Sequence, residues 1–356
     1  MHILLLTATG AENLGDELIT LYELKQLSEP NTKITVLTHD AARTQRFFIS
    51  QKYPTERINI AEYFPKNIRK KIWKNIALFW KNLVLFASAD AIYIGWGWLL
   101  YSANEEWRSP IKLWFLRVFL MKILRKKIIY LSLWVSTSTE ELQSFWKILF
   151  KDTIITVRDV ESQERINHIG FPSVILPDPV FLHNWQGQKE SKTVGIAFRW
   201  WHVGEDTLRA IIKKLLSCNY SVVLLPHSLH PGDERSHDGY YLQDFLLPGV
   251  TISQSIEQTL TLYSSCHIIL AMRLHSMILA ICHHIPFIGV SYSKKTESLL
   301  SALDWKYTTQ SYPHEEDIWS MLENIDKNYN ELCEKLENFH TQEQRKYLTT
   351  FWTLCK

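Results

Sequence analysis

An arginine and a histidine stand two residues apart at the seam between two apolar runs. In IILAMRLHSMILAICHHIPFIGVSY, residues 268–292, the first run ends at Met272-Arg273-Leu274-His275 and the second begins at once. A guanidinium fork matches a carboxylate or a phosphate, and an imidazole can bind an anion or transfer a proton near neutral pH. One interpretation is an anion site at a strand end, followed by a helix that begins near Ser276. The alternative is that Arg273 pairs with a core carboxylate and His275 only caps the helix.

Polar residues follow other apolar runs of the chain in the same way. The residues at these run ends are Asn13, Gly15, Asp16, Trp96, Trp98, Arg158, Asp178, Arg199, His227 and Arg273. Ligands bind beyond the carboxyl ends of parallel strands, so we expect these side chains to gather in one pocket between two lobes. The plainer interpretation is that loops are polar in every protein.

Short β-branched runs alternate with helical patterns, which is typical of parallel sheets covered by helices on both faces. Strands are predicted at 2–8, 33–38, 91–95, 127–133, 153–157, 194–198, 221–225, 250–253, 267–271 and 286–291. Helical spacing is found at 16–27, 205–217 and 256–265, and the stretch 182–193 is polar and without period. The predicted fold class is α/β, with two Rossmann-like domains facing a cleft in a GT-B-like arrangement and a C-terminal helical tail. The predicted domains are 1–183 and 193–313, followed by the tail at 314–356.

The totals exclude several classes of function. The 356 residues carry 39 Lys and Arg against 37 Asp and Glu, so nucleic acid is not an expected partner. Five scattered cysteines without a CxxC pair argue against a zinc site or a disulfide framework and fit a reducing cytoplasm. The start MHILLLTATG indicates a first strand rather than a signal peptide. The apolar run 82–101 is interrupted by Asp90, which favours a helix end followed by a strand over a membrane span.

Several segments, in this order, resemble the polysaccharide pyruvyl transferase family. GAENLGDE looks like its opening Gly-rich loop, and ITVRDVESQERINHIG with VILPDPVF looks like its Arg-Asp-x-x-Ser segment and its Asp-Pro strand end. VGIAFRWW and LLPHSLHPGDE are similar to its second-domain strand ends, and AMRLHSMILA to its Arg-Leu-His helix start. GVSYSKKTESLL resembles its Tyr-x-x-Lys segment, here Tyr292 and Lys295. One segment differs from the family pattern: in IYIGWGWLL, Trp96 and Trp98 interrupt the run of glycines that is usual in the family.

This resemblance implies an enzyme that moves an enolpyruvyl-derived group from phosphoenolpyruvate to a sugar of a glycan or lipid-linked glycan precursor. The products would be a pyruvate ketal and phosphate, with no cofactor and no metal. The acceptor would bind the domain 1–183 and the anionic donor the domain 193–313. The predicted catalytic residues are His275, His227 and Asp16. The predicted substrate-binding residues are Arg158, Arg199, Arg273, Asn13, Gly15, Asp178, Trp96, Trp98, Tyr292 and Lys295.

The segment PKNIRKKIWKNIALFWKNLVLF, residues 65–86, combines basic residues with apolar residues at helical spacing. Such a helix can lie on an anionic membrane surface, which would suit a cytoplasmic protein that meets a lipid-linked acceptor at the inner face of the membrane. The alternative is a packed helix with a solvated basic face.

Two other functions fit the same residues. A GT-B-type glycosyltransferase would use the arginines to bind the diphosphate of a nucleotide sugar. A non-catalytic cleft would use them to bind an anionic glycan without turnover.

Overall fold

The structure is a computed structural model that describes residues 1–64, 72–95, 110–135, 143–185, 192–199, 204–232, 237–311 and 313–355. The chain divides into two compact units. The first unit comprises Met1–Ala11, Asp16–Pro179 and Lys346–Lys356. The second unit comprises Glu12–Gly15 and Val180–Arg345.

The first unit contains a parallel sheet of seven strands. In chain order the strands are β1 (His2–Leu6), β2 (Lys33–Thr38), β3 (Ile58–Glu62), β4 (Ala91–Gly95), β5 (Lys127–Leu133), β6 (Ile154–Val157) and β7 (Val174–Ile175). Their order across the sheet is β3-β2-β1-β4-β5-β6-β7. The helices are α1 (Leu14–Leu27), α2 (Ala41–Ser50), α3 (Ile72–Ser88), α4 (Pro110–Ile123), α5 (Gln143–Phe150) and α6 (Val160–His168). The first two residues of α1 belong to the second unit.

The second unit contains a parallel sheet of six strands. The strands are β8 (Thr193–Ala197), β9 (Ser221–Leu224), β10 (Val250–Ile252), β11 (Ile268–Ala271), β12 (Phe287–Ser291) and β13 (Thr308–Gln310), in the order β10-β9-β8-β11-β12-β13. The helices are α7 (Glu205–Ser217), α8 (Asp238–Gln243), α9 (Ile256–Leu262), α10 (Leu274–Cys282), α11 (Lys294–Ala302), α12 (Glu315–Lys327) and α13 (Tyr329–Cys355). From Lys346 onward, α13 belongs to the first unit.

The central strands are apolar because helices cover both faces of each sheet. Every residue of β4, β8, β11 and β12 is buried. All ten predicted strands are confirmed within a residue or two at each end. The sequence missed β3, β7 and β13, which are edge strands: β3 is only half-buried, β7 has two residues and β13 is TTQ. An edge strand lacks the continuous apolar run by which a central strand is recognised.

The helical predictions hold with two corrections. Helix α10 begins at Leu274, with Arg273 as the N-cap residue, so the predicted start near Ser276 was wrong by two residues. The segment 256–265 is α9 followed by a 3-10 turn at Tyr263–Ser265. The predicted helix end and strand within 82–101 are confirmed, since α3 ends at Ser88 and β4 begins at Ala91. The C-terminal helical tail is also confirmed, as α12 and α13.

The two units differ from the predicted boundaries in two places. Residues Glu12–Gly15 belong to the second unit, because Leu14 N–H donates to the His227 carbonyl at 2.8 Å. The predicted tail at 314–356 is divided, with residues up to Arg345 in the second unit. Helix α12 packs on α7 of the same unit, where the Lys214 ammonium lies 4.6 Å from the Trp319 ring centre.

Candidate active site in the second unit

The N-terminal Gly-rich loop contributes directly to the second unit. Asn13 pairs with Ser228 as an isolated antiparallel bridge beyond the end of β9. The Asn13 side-chain oxygen also accepts the Gly15 N–H at 3.2 Å, which fixes the turn into α1. The predicted residues Asn13 and Gly15 therefore lie close to His227 in the structure, although His227 comes more than two hundred positions later in the sequence.

Gly15 is required because the His275 imidazole occupies the space that a side chain would fill. A Cβ at Gly15 would overlap the ring at Nδ1, Cγ and Cε1. His275 is the second residue of α10 and is half-buried. The Gly-rich loop therefore forms one wall against the ring, and a larger residue at position 15 would displace it.

A buried carboxylate connects Arg273 to the β9 strand end. The Oδ1 atom of Asp238 accepts a hydrogen bond from Nη2 of Arg273. Its Oδ2 atom accepts the backbone N–H groups of His227 at 3.1 Å and Ser228 at 3.0 Å. Asp238 is 3% exposed, so it is well placed to hold the guanidinium in one orientation. Arg273 thus pairs with a core carboxylate, as the first alternative from the sequence expected.

A second guanidinium keeps the cluster positive despite this pairing. Arg199 follows β8, the strand next to β11, which precedes Arg273. Burial lowers the pKa of Arg199, and the charge of Arg273 lowers it further, while Tyr292 and Asp238 raise it. Tyr292 also hydrogen-bonds the Arg199 side chain. Arginine remains protonated under such conditions, so two cations here face one carboxylate. An anion placed against this pair would relieve their repulsion.

His227 is a neutral, structural neighbour of this cluster. It is 1% exposed, and its Nε2 lies 2.7 Å from the Tyr263 hydroxyl, which contacts the Ser276 carbonyl at 3.5 Å. Its Nδ1 is buried with no hydrogen-bond partner among the residues that the structure describes. Burial lowers the pKa of His227 well below the ordinary value, and the charges of Arg273 and His275 lower it further. A histidine held neutral in this way is a poor proton donor near pH 7, which favours His275 over His227 as an acid.

The free energy of unfolding should depend on pH, because the folded protein holds His227 neutral. Because its folded pKa is depressed, the unfolded chain takes up this proton at a higher pH than the folded chain. The free energy of unfolding should therefore fall as the pH drops below about 6.5. The free energies of unfolding of wild type and His227→Gln, measured with urea across this pH range, check the effect. The slope of free energy against pH should be shallower in the variant. Equal slopes would show that His227 does not titrate in this way.

Arg158 and Asp178 lie together in the first unit. Nη1 of Arg158 is 3.5 Å from Asp178 Oδ2, and its Nε is 3.7 Å from Asp159 Oδ2. Both partners of the first contact are nearly buried, at 7% and 4% side-chain exposure. Asp159 also caps α6 by accepting the Ser162 N–H at 2.7 Å. That Arg158 and Asp178 share one pocket with the predicted residues of the second unit stays a prediction.

The first turn of α1 contains the predicted Asp16 and a buried carboxylate, Glu17, that the sequence did not reveal. Asp16 is half-buried. The next residue, Glu17, is buried and accepts hydrogen bonds from the Gly10 N–H at 2.6 Å and from the Thr9 hydroxyl. Gly10 has φ +83°, and a Cβ there would meet the Asp40 backbone at 2.6 Å. Glu17 therefore fastens the β1 strand-end loop from which the Gly-rich segment departs.

A second buried carboxyl of α1 was also missed. Glu23 is completely buried, and neither of its carboxyl oxygens has a hydrogen-bond partner among the described residues. Its carboxyl group lies against the Cα of Gly95, the last residue of β4, so that any side chain at position 95 would collide with it. Burial raises the pKa of Glu23 well above the ordinary value, and the charge of Asp178 raises it further. A carboxyl in such surroundings is held in its neutral form.

Glu23→Gln should stabilise the protein increasingly as the pH rises. The unfolded chain loses the Glu23 proton near its ordinary pKa, whereas the folded chain retains it, so stability is lost as the pH rises above about 4.3. Glutamine is neutral at every pH and nearly isosteric. The free energy of unfolding of the variant, relative to wild type, should be larger at about pH 8 than at about pH 5. A difference that does not change with pH would refute the neutral state of Glu23.

The remaining predicted residues have mixed outcomes. Tyr292 follows β12 and belongs to the cluster through Arg199. Lys295 is in the first turn of α11, just beyond the same strand. Trp96 and Trp98, with Trp200 and Trp201, lie outside the described residues.

Comparison with solved structures defines the class of fold. UDP-GlcNAc 2-epimerase from Neisseria meningitidis superposes with a TM-score of 0.61 over 100% of both chains, at 13% sequence identity. UGT89C1 of Arabidopsis thaliana, complexed with UDP-L-rhamnose, gives a TM-score of 0.63 at 10% identity, over 100% of this chain and 99% of that one. A glycosyltransferase from Rickettsia africae superposes with a TM-score of 0.58 at 11% identity, over 98% of this chain and 93% of that one. The two parallel sheets with interleaved helices form a GT-B fold.

The family follows from the sequence model that matches the chain. The model of the polysaccharide pyruvyl transferases matches residues 13–294, which is most of the chain. The protein therefore belongs to the polysaccharide pyruvyl transferase family, as its motifs predicted. No curated protein matches it. The matched range begins at Asn13, within the Gly-rich loop, and ends at Lys294, so it includes the strand-end arginines and His275.

Proposed function

We propose that this protein transfers a pyruvyl group from phosphoenolpyruvate to two hydroxyls of a sugar, releasing phosphate and leaving a pyruvate ketal. The acceptor would be a glycan or a lipid-linked glycan precursor. The observation that carries the proposal is the cluster of Arg199 and Arg273 beside His275 in the second unit, within a chain that belongs to the pyruvyl transferase family.

The charges of the cluster suit this donor. Phosphoenolpyruvate carries a carboxylate and a phosphate on three carbons, so it needs more than one cationic fork. Arg273 is oriented by Asp238, and Arg199 by Tyr292, which leaves both guanidiniums preorganised before an anion arrives. The first turn of α10 adds the positive end of a helix dipole next to Arg273. Preorganised cations bind a small anion with little loss of side-chain freedom.

The chemistry requires one proton delivered to carbon and two removed from hydroxyls. His275 in its protonated form would give its proton to the methylene carbon of the enol phosphate, which becomes a methyl group. Positive charge then develops on the central carbon, where the first sugar hydroxyl attacks. The second hydroxyl displaces phosphate at the same carbon and closes the ketal. Of the two hydroxyl protons, one restores His275 and the other leaves with phosphate.

Asp16 is the base that we propose for the second sugar hydroxyl, whose proton it passes on to the departing phosphate, in keeping with its place at the start of α1 and its partial exposure. His227 is less suited, because burial keeps it neutral and almost inaccessible. We assign it instead to the support of the β9 strand end, where its backbone contacts Leu14 and Asp238.

A phosphate-release assay tests the proposal. The full chain is incubated with phosphoenolpyruvate and a panel of galactose, glucose and N-acetylmannosamine glycosides. The mass of the carbohydrate product is then measured by mass spectrometry. We expect phosphate release that requires one acceptor of the panel, with a ketal on that acceptor. Release of nucleotide from a nucleotide sugar, with none of phosphate from phosphoenolpyruvate, would instead identify a glycosyltransferase.

A further inference from the structure

Helix α3 buries Leu78 and Phe86 in the usual way, but its exposed side is strongly apolar as well. Its buried side includes the polar side chains of Asn75 and Asn82, whereas Trp73, Trp80 and Val84 are 81%, 59% and 65% exposed. An exposed indole removes little apolar surface from water, so two of them on one helix face need an explanation. The helix also contains no Asp or Glu residue.

The buried asparagine explains why the helix is turned this way. The Asn82 side chain accepts the Phe64 N–H at 3.0 Å and donates to the Glu62 carbonyl at 3.0 Å. These two groups lie at the end of β3, the last strand at this edge of the sheet in the described parts of the chain. Satisfying them holds Asn82 inward together with the buried Phe86, and the side with Trp80 is left facing outward.

Helix α4, which packs beside α3, likewise buries a polar side chain among apolar ones and exposes other apolar ones. Arg117 is buried, where its Nε donates to the Phe64 carbonyl at 2.8 Å and its guanidinium carbon lies 4.4 Å from the Tyr63 ring centre. Leu116, Phe119 and Ile123 of the same helix are exposed. Helix α4 also lacks Asp and Glu, and it contacts α3 on one side and α5 on the other. We call the exposed side chains of Trp73, Ile76, Trp80, Val84, Leu116, Phe119 and Ile123 the α3–α4 face.

A basic pocket adjoins this face. It has a volume of ≈ 520 Å³ and lies where α4 ends and α5 ends. Its cations are Lys122, Arg125, Lys126, Lys147 and Lys151, with Asp152 as the one acid of the lining. The Lys126 ammonium donates to the carbonyls of Ala87 and Ala89 at 2.7 and 2.8 Å, which places the pocket beside the end of α3.

We propose that the α3–α4 face and the basic pocket together dock the protein on an anionic lipid bilayer. Indoles and aliphatic side chains prefer the boundary between headgroups and acyl chains, and a pocket of cations attracts anionic headgroups. The lack of acids on both helices removes the repulsion that such a surface would otherwise create. No helix in the described parts of the chain has the length and apolar character to cross a bilayer. This inference stands independently of the proposed reaction.

Vesicle binding by the full chain tests the docking surface. Sedimentation is compared for vesicles of phosphatidylcholine alone and for an equimolar mixture with phosphatidylglycerol. We expect binding to the anionic vesicles only, weakened by added salt. Trp73→Ser/Trp80→Ser and Lys122→Glu/Arg125→Glu/Lys147→Glu should each lower the affinity by at least about tenfold.

Matched variants elsewhere in the chain serve as controls. Leu246→Ser/Trp352→Ser removes two exposed apolar side chains, and Lys213→Glu/Lys306→Glu/Lys327→Glu makes the same change of net charge away from the pocket. Both should bind anionic vesicles like wild type.

Three results would overturn the proposal. One is equal binding of wild type to both kinds of vesicle, and another is equal loss of binding in the control variants. The third is a dimer in sedimentation velocity that Trp73→Ser/Trp80→Ser dissociates, in a protein that binds no vesicles. That last result would assign the face to a second copy of the chain instead.

Discussion

Replacement of His275 by alanine should reduce phosphate release from phosphoenolpyruvate and acceptor by about 10²–10⁴-fold, the usual effect of losing a general acid. The expected loss is in kcat, because the imidazole donates its proton in the transition state and contributes little to holding the donor. Initial rates at saturating donor measure the effect. His275→Gln, which fills more of the space against Gly15, should be as inactive as the alanine variant.

A surface histidine provides the control for this variant. His314 is exposed and its side chain makes no capping hydrogen bond to α12, so His314→Ala should keep full activity. The circular dichroism spectrum and the thermal midpoint show whether the fold of each variant is retained. A folded His275→Ala protein with the turnover of wild type would transfer the acid role to another group.

Arg273→Lys should weaken donor binding by about 10–100-fold. Lysine keeps the charge but loses the fork, so one charge-assisted hydrogen bond to the donor is lost, worth about 1.5–3 kcal/mol. Lysine is a cleaner test than alanine, because alanine would leave the buried Asp238 carboxylate without its cation. The dissociation constant of phosphoenolpyruvate, measured by calorimetry, gives the result directly.

Arg345→Lys is the matched control, since Arg345 is exposed and lies on α13 of the same unit. Its affinity for phosphoenolpyruvate should equal that of wild type. If Arg273→Lys also binds the donor normally, then Arg273 serves only to neutralise Asp238, and the cluster is a structural ion pair.

The sequence predicted the strands and much of the second-unit cluster for a clear physical reason. A central parallel strand must be apolar along its whole length, and the residue that follows it must turn toward the ligand edge of the sheet. This rule located His227 and Arg273, which the structure joins through Asp238. It also located Arg199, which lies close enough to Arg273 that the charge of Arg273 lowers its pKa.

Asp238 itself was beyond the reach of this rule. It is the first residue of the short helix α8, far along the chain from the strand end that it supports. Tyr263 was missed because an aromatic residue among apolar neighbours cannot be told from ordinary core. Its hydroxyl nevertheless contacts His227 at 2.7 Å. Pairings of this kind depend on tertiary geometry that local patterns do not encode.

Helical periodicity also left the orientation of two helices open. Spacing identifies the two sides of a helix but does not say which one is buried. In α1 the buried residues include the carboxyls of Glu17 and Glu23 among leucines, and in α3 they include asparagines beside Leu78 and Phe86. Polar groups at strand ends bond two of these side chains: the Gly10 N–H donates to Glu17, and the Glu62 carbonyl accepts from Asn82. For the segment 65–86, residues 65–71 lie outside the described residues.

Calorimetric titration of the full chain with phosphoenolpyruvate, and separately with UDP, shows whether Arg199 and Arg273 bind the proposed donor. We expect saturable binding of phosphoenolpyruvate that is lost in Arg199→Lys/Arg273→Lys and retained in Arg345→Lys, and we expect no UDP binding that competes with it. Saturable UDP binding that depends on the same two arginines, without any binding of phosphoenolpyruvate, would contradict this expectation.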